Sequence, residues 1–264
     1  MKITIFTSNQ PRHISLIEEL AKISDEVFAI QECNTVFPGQ VEDFYKKSEI
    51  MQRYFSHVIK AEKSIFGNPR FLPANVRTLS IKSGDLNKLD MSILNPALQS
   101  DYYIVFGSSF IKGQLIDYLI NNRAINIHMG VSPYYRGSSC NFWALYDKKP
   151  EYVGATIHLL SKGLDSGPML FHALPKIQET DAFSLGMQAV KSAHKGLLAA
   201  LKSKQIFKFN PVLQKKNLEI RYTRNKDFDD NVALDYLDHM PSKQKIFQSL
   251  KNRDLKTFLN PYVL

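Results

Sequence analysis

Residues 1–203 alternate short apolar runs with longer amphipathic stretches, and this alternation constrains the fold more than any other feature. The apolar runs have the length and the β-branched content of buried strands; they are ITIFT, DEVFAI, VRTLSI, DYYIVFG, AINIHM, YVGATIHLL and PMLFHALPKI. Helical spacing predicts helices between them, at ISLIEELAKI, residues 41–66, LDMSILNPALQ, KGQLIDYLINN, CNFWALYD and residues 181–203. This order predicts an α/β fold that is Rossmann-like, a mostly parallel sheet with helices on both faces.

The composition changes near residue 204, which divides the chain into a main domain (1–203) and a small C-terminal region (204–264). In the second part, KFNPVLQ and LEIRYTR predict a short hairpin, and helices broken by Pro241 follow. About sixty residues bury too little apolar surface to fold alone. We expect this appendage to pack on the main domain or on a second copy of the chain.

Basic residues are concentrated in the C-terminal region. The formal net charge is +9, and residues 202–264 hold 13 Lys and Arg against 7 Asp and Glu. Such a balance favours anionic partners, yet a solvated basic face explains it more simply, so nucleic acid is not the expected partner. A homodimer formed through this region is a further expectation.

The chain carries no signal for a membrane or an oxidising compartment. No apolar run approaches the roughly 18 residues that span a bilayer, and the start MKITIF reads as a strand. Cys33 and Cys140 form neither a disulfide framework nor a metal-ligand spacing. We expect a cytoplasmic protein without metal.

A polar pair stands out in the run AINIHMGVSPYYRG. Successive side chains of a strand point to opposite faces, so Asn126 and His128 share one face while the intervening Ile127 points to the core. The loop that follows contains Gly130 and Pro133 and continues neither a strand nor a helix. This pattern predicts an amide and an imidazole at the carboxyl end of a strand, where open α/β sheets bind ligands.

A carboxylate in the turn GLDSG completes a chemically useful set. Asp165 lies between Gly163 and Gly167, which allow a sharp turn or a close approach to a ligand. An amide N–H directed at a developing oxyanion contributes roughly 10²–10³ in rate, and an imidazole oriented by a carboxylate can move protons. The set suits acyl transfer to an amine, although each residue alone is better explained by a structural role.

Four sequence elements together resemble the folate-dependent formyltransferases. They are N-x-H at 126–128, a loop that ends in Pro and Gly, the G-x-T-x-H strand, and the D-x-G turn, all within NIHMGVSPYYRG, FWAL and GATIHLLSKGLDSGPML. The family includes glycinamide ribonucleotide transformylase, methionyl-tRNA formyltransferase and the sugar N-formyltransferases. The resemblance covers about residues 100–172 well.

The resemblance implies a catalytic trio of Asn126, His128 and Asp165 and a formyl donor, 10-formyltetrahydrofolate. It also implies that loop backbone near the site holds the pterin; the residues concerned are Phe106, Gly107, Ser108, Ser109, Phe110, Ile111, Gly163 and Leu164.

The loop after Met129 departs from the pattern of the resembled family. The family loop commonly reads S-L-L-P, whereas this chain has Gly130, Val131 and Ser132 before Pro133, so the acceptor side of the loop differs.

The remaining candidates concern the substrate. The turn SNQPRH opens the first helix, whose N–H groups favour an anion, and Asn9, Arg12 and His13 lie there. In the loop, Tyr135 and Arg136 are candidates; Arg136 either holds an anionic substrate or pins the loop. Trp143 packs beneath the loop or stacks on a ligand, His158 is read as structural, and Cys140 as a small buried hydrophobe.

The expected substrate follows from elimination within the resembled family. The first turn lacks the glycines with which the ribonucleotide enzyme cradles phosphate, and the C-terminal region is shorter than that of the tRNA enzyme. We therefore expect formyl transfer to a nucleotide-linked amino sugar, such as a dTDP-4-amino-4,6-dideoxyhexose. The alternatives are another amine (methionyl-tRNA or a small metabolite) and hydrolysis of formyltetrahydrofolate.

Overall fold

One mostly parallel sheet organises the protein. The computed structural model describes residues 1–33 and 47–264, and its strands are β1 (Lys2–Ser8), β2 (Glu26–Cys33), β3 (Val76–Lys82), β4 (Tyr102–Val105), β5 (Ile125–His128), β6 (Tyr135–Gly137), β7 (Ala155–Leu159), β8 (Met169–Leu174), β9 (Arg221–Thr223) and β10 (Tyr262–Val263). Within these residues an eight-stranded sheet has the order β10-β8-β7-β5-β4-β1-β2-β3, and β7 runs antiparallel to both of its neighbours. The predicted α/β fold is confirmed.

Helices cover both faces of this sheet. They are α1 (Pro11–Ala21), α2 (Glu49–Phe66), α3 (Met91–Leu94), α4 (Gly113–Asn121), α5 (Cys140–Tyr146), α6 (Ala182–Lys202), α7 (Asp230–His239) and α8 (Lys243–Lys251). On one face Leu16 of α1 and Leu197 of α6 join a core with Ile5, and on the other Leu119 of α4 packs with Phe6. None of the helices in the described ranges is long and apolar enough to cross a membrane.

Local signals predicted most element positions, with differences at their ends. Asp181 begins α6 as an N-cap and accepts a hydrogen bond from the Ser184 amide at 2.9 Å. The helix expected over 41–66 is present from Glu49 onward, and residues 41–46 lie outside the described ranges. The helix expected in LDMSILNPALQ is only four residues long, since Pro96 has no N–H to continue it.

The predicted C-terminal hairpin is wrong. Instead of pairing with each other, the two segments pair with the main domain: β9 lies parallel to β6, and Val212 exchanges backbone hydrogen bonds with Met169 at 2.8 and 2.9 Å. Exposed strand edges of the main domain therefore satisfy the backbone groups that a hairpin would have paired.

The C-terminal region packs on the main domain. Its helices contribute Leu237, Ile246 and Leu250 to a core that also contains Trp143 and Leu185. At the other end of the region, β10 adds to the sheet beside β8. These contacts bury the apolar faces of α7 and α8, while the association of two copies stays a prediction.

His172 links three parts of the chain as a neutral imidazole. Its Nε2–H donates to the Ser132 carbonyl at 2.8 Å, and its Nδ1 accepts from the Leu259 amide at 2.9 Å. A second ring proton would face that amide N–H. Burial lowers the pKa of His172 to about 4, although the Ser132 carbonyl acts in the opposite direction.

We expect the free energy of unfolding to fall as the pH drops from 6.5 towards 4, because the unfolded His172 takes up a proton that the folded one resists. One such group changes the free energy by up to about 1.4 kcal/mol per pH unit. Urea denaturation of His172→Gln should show a shallower pH dependence. The exposed His239→Gln is the control, and equal slopes for wild type and His172→Gln would contradict the prediction.

Candidate active site

The structure brings Asn126, His128 and Asp165 into direct contact. The first two project from the same face of β5, and the turn after β7 folds back over that face. Asp165 has a left-handed backbone (φ 44°), which aspartate tolerates better than most residues. The turn also needs Gly167, since a Cβ there would lie 1.8 Å from the Leu159 carbonyl oxygen.

The Asp165 carboxylate is shared between the other two residues. Its Oδ1 accepts from Asn126 Nδ2 at 2.8 Å, and its Oδ2 lies 3.1 Å from His128 Nδ1. Asn126 and His128 are buried and Asp165 is about one-fifth exposed, so these contacts are poorly screened by solvent. The imidazole is therefore oriented by a carboxylate, as the sequence predicted.

His158, read from the sequence as structural, fixes the Asn126 amide. Its Nδ1–H donates to the Leu159 carbonyl at 2.8 Å, so its Nε2 accepts, 3.0 Å from Asn126 Nδ2. Both N–H groups of Asn126 are thus donated within the protein, to His158 and Asp165. This differs from the expected amide N–H directed at an oxyanion; the G-x-T-x-H strand was the signal for His158.

The trio holds opposite charges at neutral pH. Burial alone would raise the pKa of Asp165, but His128, and less strongly His158, lower it well below its usual range. Burial alone would lower the pKa of His128, whereas the Cys140 sulfur and the Asp165 carboxylate raise it well above its usual range. An imidazolium and a carboxylate therefore form an ion pair at the site.

A cavity of about 300 Å³ opens beside the trio. Every residue that the resemblance assigned to the pterin lines it, together with the trio; these are Phe106, Gly107, Ser108, Ser109, Phe110, Ile111, Gly163 and Leu164. The lining combines apolar side chains with polar groups, among them those of the trio, which suits a flat heteroaromatic ring. The residues that line the cavity thus fit the pterin of a folate.

Glu32 is a residue of this cavity's framework that the sequence analysis missed. The carboxylate is buried at the end of β2 and accepts from the Ser109 amide at 2.5 Å, the Ser109 hydroxyl at 2.8 Å and the Gly84 amide at 2.8 Å. It therefore ties the loop over residues 106–111 to the sheet. The signal available in the sequence was a glutamate close after the apolar run VFAI of β2.

Arg12 and His13 line the same cavity, but the anion site expected at the start of α1 is filled by the protein itself. The buried Glu62 carboxylate accepts from the Arg12 amide at 3.2 Å and from its guanidinium at 2.8 Å. Pro11 has no N–H to offer. Burial, followed by the charge of Arg12, lowers the pKa of His13 well below its usual range.

The other predicted substrate residues have contacts elsewhere. Arg136 pairs with Glu219 at 3.0 Å, which pins the loop to the C-terminal region. Tyr135 is buried and donates to Asp147 at 3.1 Å. The indole of buried Trp143 lies under the Arg221 guanidinium, and Asn9 Oδ1 accepts from the Ser8 hydroxyl at 3.4 Å.

A second cavity of about 300 Å³ shares Arg12 and Met129 with the first. Its walls combine aliphatic and aromatic side chains, most of them from α2, α5, α6 and α7; the aromatic ones are Tyr54, Phe142, Phe183 and Tyr236. Ser139 and Asn141 add polar groups. Sequence reasoning missed it because its four helices are distant in the chain. In the described ranges no group of three or more His, Cys, Asp or Glu is placed to hold a metal ion.

Comparison with known proteins identifies the family. A family model described as formyl transferase matches residues 1–201. The chain belongs to the formyl transferase family. The predicted resemblance is confirmed.

Curated relatives of this formyl transferase match it over part of their length. Methionyl-tRNA formyltransferase of Thermosynechococcus vestitus is 36% identical over 85 residues, which are 32% of this chain and 25% of the relative. Formyltetrahydrofolate deformylase 2, mitochondrial, of Arabidopsis thaliana is 28% identical over 126 residues, 45% of this chain and 36% of the relative. The chain thus matches about a quarter to a third of these relatives.

Solved structures share the fold over most of the chain. The formyltransferase PseJ from Anoxybacillus kamchatkensis, in complex with UDP-4,6-dideoxy-4-formamido-L-AltNAc and tetrahydrofolate, has a TM-score of 0.51 and 16% identity, covering 95% of this chain and 100% of that chain. A 4-N formyltransferase from Francisella tularensis has a TM-score of 0.52 and 16% identity, covering 94% and 87%. At these identities the likeness concerns the fold.

We expect Asp165→Asn to lower the pKa of His128 by about one unit or more, because the variant removes the carboxylate that stabilises the imidazolium. An NMR titration of ¹³C-labelled histidine measures this shift, and the spectrum of His128→Asn assigns the resonance. The control is Asp117→Asn, which removes a surface partner of Lys162. An unshifted His128 in Asp165→Asn would contradict the ion pair.

Proposed function

We propose that this protein transfers a formyl group from 10-formyltetrahydrofolate to the amino group of a nucleotide-linked amino sugar, such as a dTDP-4-amino-4,6-dideoxyhexose. The observation that carries the proposal is the meeting of two cavities beside His128. The first is lined by the trio and the pterin loops, and the second by aromatic side chains. A donor and an acceptor in these cavities would approach each other at Met129, directly after His128.

Formyl transfer requires a group that stabilises negative charge on the formyl oxygen and a route for the proton that leaves the amine. The folate supplies the activated formyl group when bound. His128 carries a proton, and Asp165 keeps the ring charged and oriented at 3.1 Å. For Asn126 to donate to the formyl oxygen, its amide exchanges one of its bonds, to His158 or Asp165, for the substrate.

The second cavity supports an acceptor with flat or apolar faces. Tyr54, Phe142 and Phe183 offer rings on which a deoxysugar face or a nucleobase can pack. The related PseJ structure contains a UDP-linked formamido sugar and tetrahydrofolate, which supports the same pairing of ligands here. Since Glu62 engages Arg12 and Glu219 engages Arg136, the sugar nucleotide's diphosphate is not assigned to either arginine.

Methionyl-tRNA is the second candidate acceptor, and the curated methionyl-tRNA formyltransferases favour it. An apolar cavity of this size also suits a methionyl side chain. Hydrolysis is the third possibility, supported by the deformylase relative. The acceptor, and not the trio, separates these three reactions.

Tetrahydrofolate release with a panel of acceptors tests the proposal. We expect release from 10-formyltetrahydrofolate with one dTDP- or UDP-linked 3-amino or 4-amino sugar, and none with initiator methionyl-tRNA or without acceptor. Release with the tRNA alone, or without any acceptor, would assign the protein to the second or third reaction instead.

His128→Asn should lower kcat by about 10²–10⁴, the usual contribution of a general acid–base group, while tetrahydrofolate affinity changes by no more than about threefold, since most of the cavity wall is untouched. Steady-state kinetics and calorimetric titration measure the two quantities. Nearly full activity in His128→Asn would remove this residue from the mechanism.

Gly186 provides a test of the acceptor cavity. It lines the second cavity from within α6, and a Cβ there would have no heavy atom within 4 Å. We expect Gly186→Phe to fill the cavity and raise the acceptor KM at least about tenfold, with tetrahydrofolate affinity unchanged. Gly186→Ala is the matched control, because it adds one methyl group and improves helix propensity. An unchanged acceptor KM in Gly186→Phe would place the acceptor elsewhere.

A further inference from the structure

The thiol of Cys140 contacts the second ring nitrogen of His128, Nε2. Its Sγ lies 3.4 Å from His128 Nε2 and 3.4 Å from the Gly137 carbonyl oxygen, and the residue is 1% exposed. Since Asp165 holds the other ring nitrogen at 3.1 Å, both nitrogens of the imidazole have protein partners. The imidazole thus contacts the Cys140 thiol on one side and the Asp165 carboxylate on the other.

Gly130 makes the approach of the thiol possible. A Cβ at this position would lie 2.4 Å from Cys140 Cβ and 2.7 Å from His128 Nε2, closer than real contacts allow. The Thr156 hydroxyl donates to the Gly130 carbonyl at 2.6 Å and holds this backbone in place. Gly130 is also one of the positions at which the loop departs from the common S-L-L-P pattern. The absence of a side chain at Gly130 therefore leaves the space in which the Cys140 thiol contacts the ring.

A thiol can partner the ring nitrogen in both of its protonation states. Against a neutral ring, the S–H of Cys140 donates to His128 Nε2. Against an imidazolium, Nε2–H donates to the sulfur, and the S–H turns to the Gly137 carbonyl. An alanine at this position removes the protein partner of Nε2 in both states, and losing a hydrogen bond to a buried polar group is unfavourable.

We propose that Cys140 is a positioning residue for His128: its thiol holds Nε2 in both protonation states of the ring, and Nε2 exchanges this contact for the substrate when it gives up or takes up a proton during formyl transfer. The proposal rests on the proposed function. Among the described residues, the titratable and charged groups around the ring are Asp165 and Cys140, His158 through Asp165, and His13 and Arg12 in the wall of the same cavity, where Glu62 pairs with Arg12. Of these, Cys140 lies within hydrogen-bond distance of Nε2.

The first test follows the ring itself and needs no substrate. In an NMR titration of ¹³C-labelled histidine, we expect Cys140→Ala to lower the pKa of His128, since the imidazolium loses its acceptor on Nε2. Cys140→Ser should shift it less, because a hydroxyl also donates and accepts. Gly130→Ala, which keeps the thiol but displaces it, should resemble Cys140→Ala. If the pKa of His128 in Cys140→Ala equals that in the wild type, the proposal is overturned.

The second test measures turnover. We expect kcat of Cys140→Ala to fall about 10-fold to 100-fold, the effect of one lost hydrogen bond to a charged group, with the limb of the pH–rate profile that reports His128 moved to lower pH. Cys140→Ser should recover most of the loss. The control is Cys33→Ala, which changes the other cysteine of the chain, at the end of β2.

One outcome would replace the proposal with another role. If Cys140→Ser is as inactive as Cys140→Ala, and wild-type protein mixed with 10-formyltetrahydrofolate gains the mass of a formyl group on Cys140, the thiol is a nucleophile and not a positioning residue. Thermal unfolding of each variant checks that it folds. The NMR titration of His128 needs no acceptor. It therefore tests the role of Cys140 even if the proposed function is wrong.

Discussion

The site depends on the Asp165 carboxylate, a single buried anion that Asn126 and His128 share. It orients the amide through Oδ1 and charges the imidazole through Oδ2. An unpaired carboxylate at this depth would be strongly unfavourable, so β5, β7 and the tight turn at Gly167 are all required to bring its partners within 3.1 Å. The rest of the site is arranged around this carboxylate.

Three further carboxylates hold elements around the two cavities; Glu32 and Glu62 are buried, and Glu219 is about one-fifth exposed. Glu32 holds the loop that lines the first cavity, and Glu62 holds Arg12 at the start of α1. Glu219 binds Arg136 and attaches the loop after β5 to the C-terminal region. Glu62 and Glu219 each pair with an arginine that the sequence suggested for a ligand. Two internal ion pairs and the hydrogen bonds of Glu32 therefore hold the elements around the cavities.

The C-terminal region contributes to the site indirectly. β9 pairs with β6, and α7 supplies Tyr236 to the wall of the second cavity. A region that the sequence set apart as a basic appendage thus lines the second cavity. The prediction of a hairpin failed because β propensity identifies a strand without identifying its partner, and the nearest free edge belonged to the main domain.

The sequence by itself determined the α/β class, the order of most elements and the choice of Asn126, His128 and Asp165, which the structure brings into contact. These follow from hydrophobic periodicity and from short motifs, which are local in the chain. Only the tertiary structure decided that His158 uses one Asn126 N–H, that Glu62 fills the expected anion site, and that Cys140 contacts His128. The physical reason is that each is a contact between segments brought together by folding, whose distances no local pattern records.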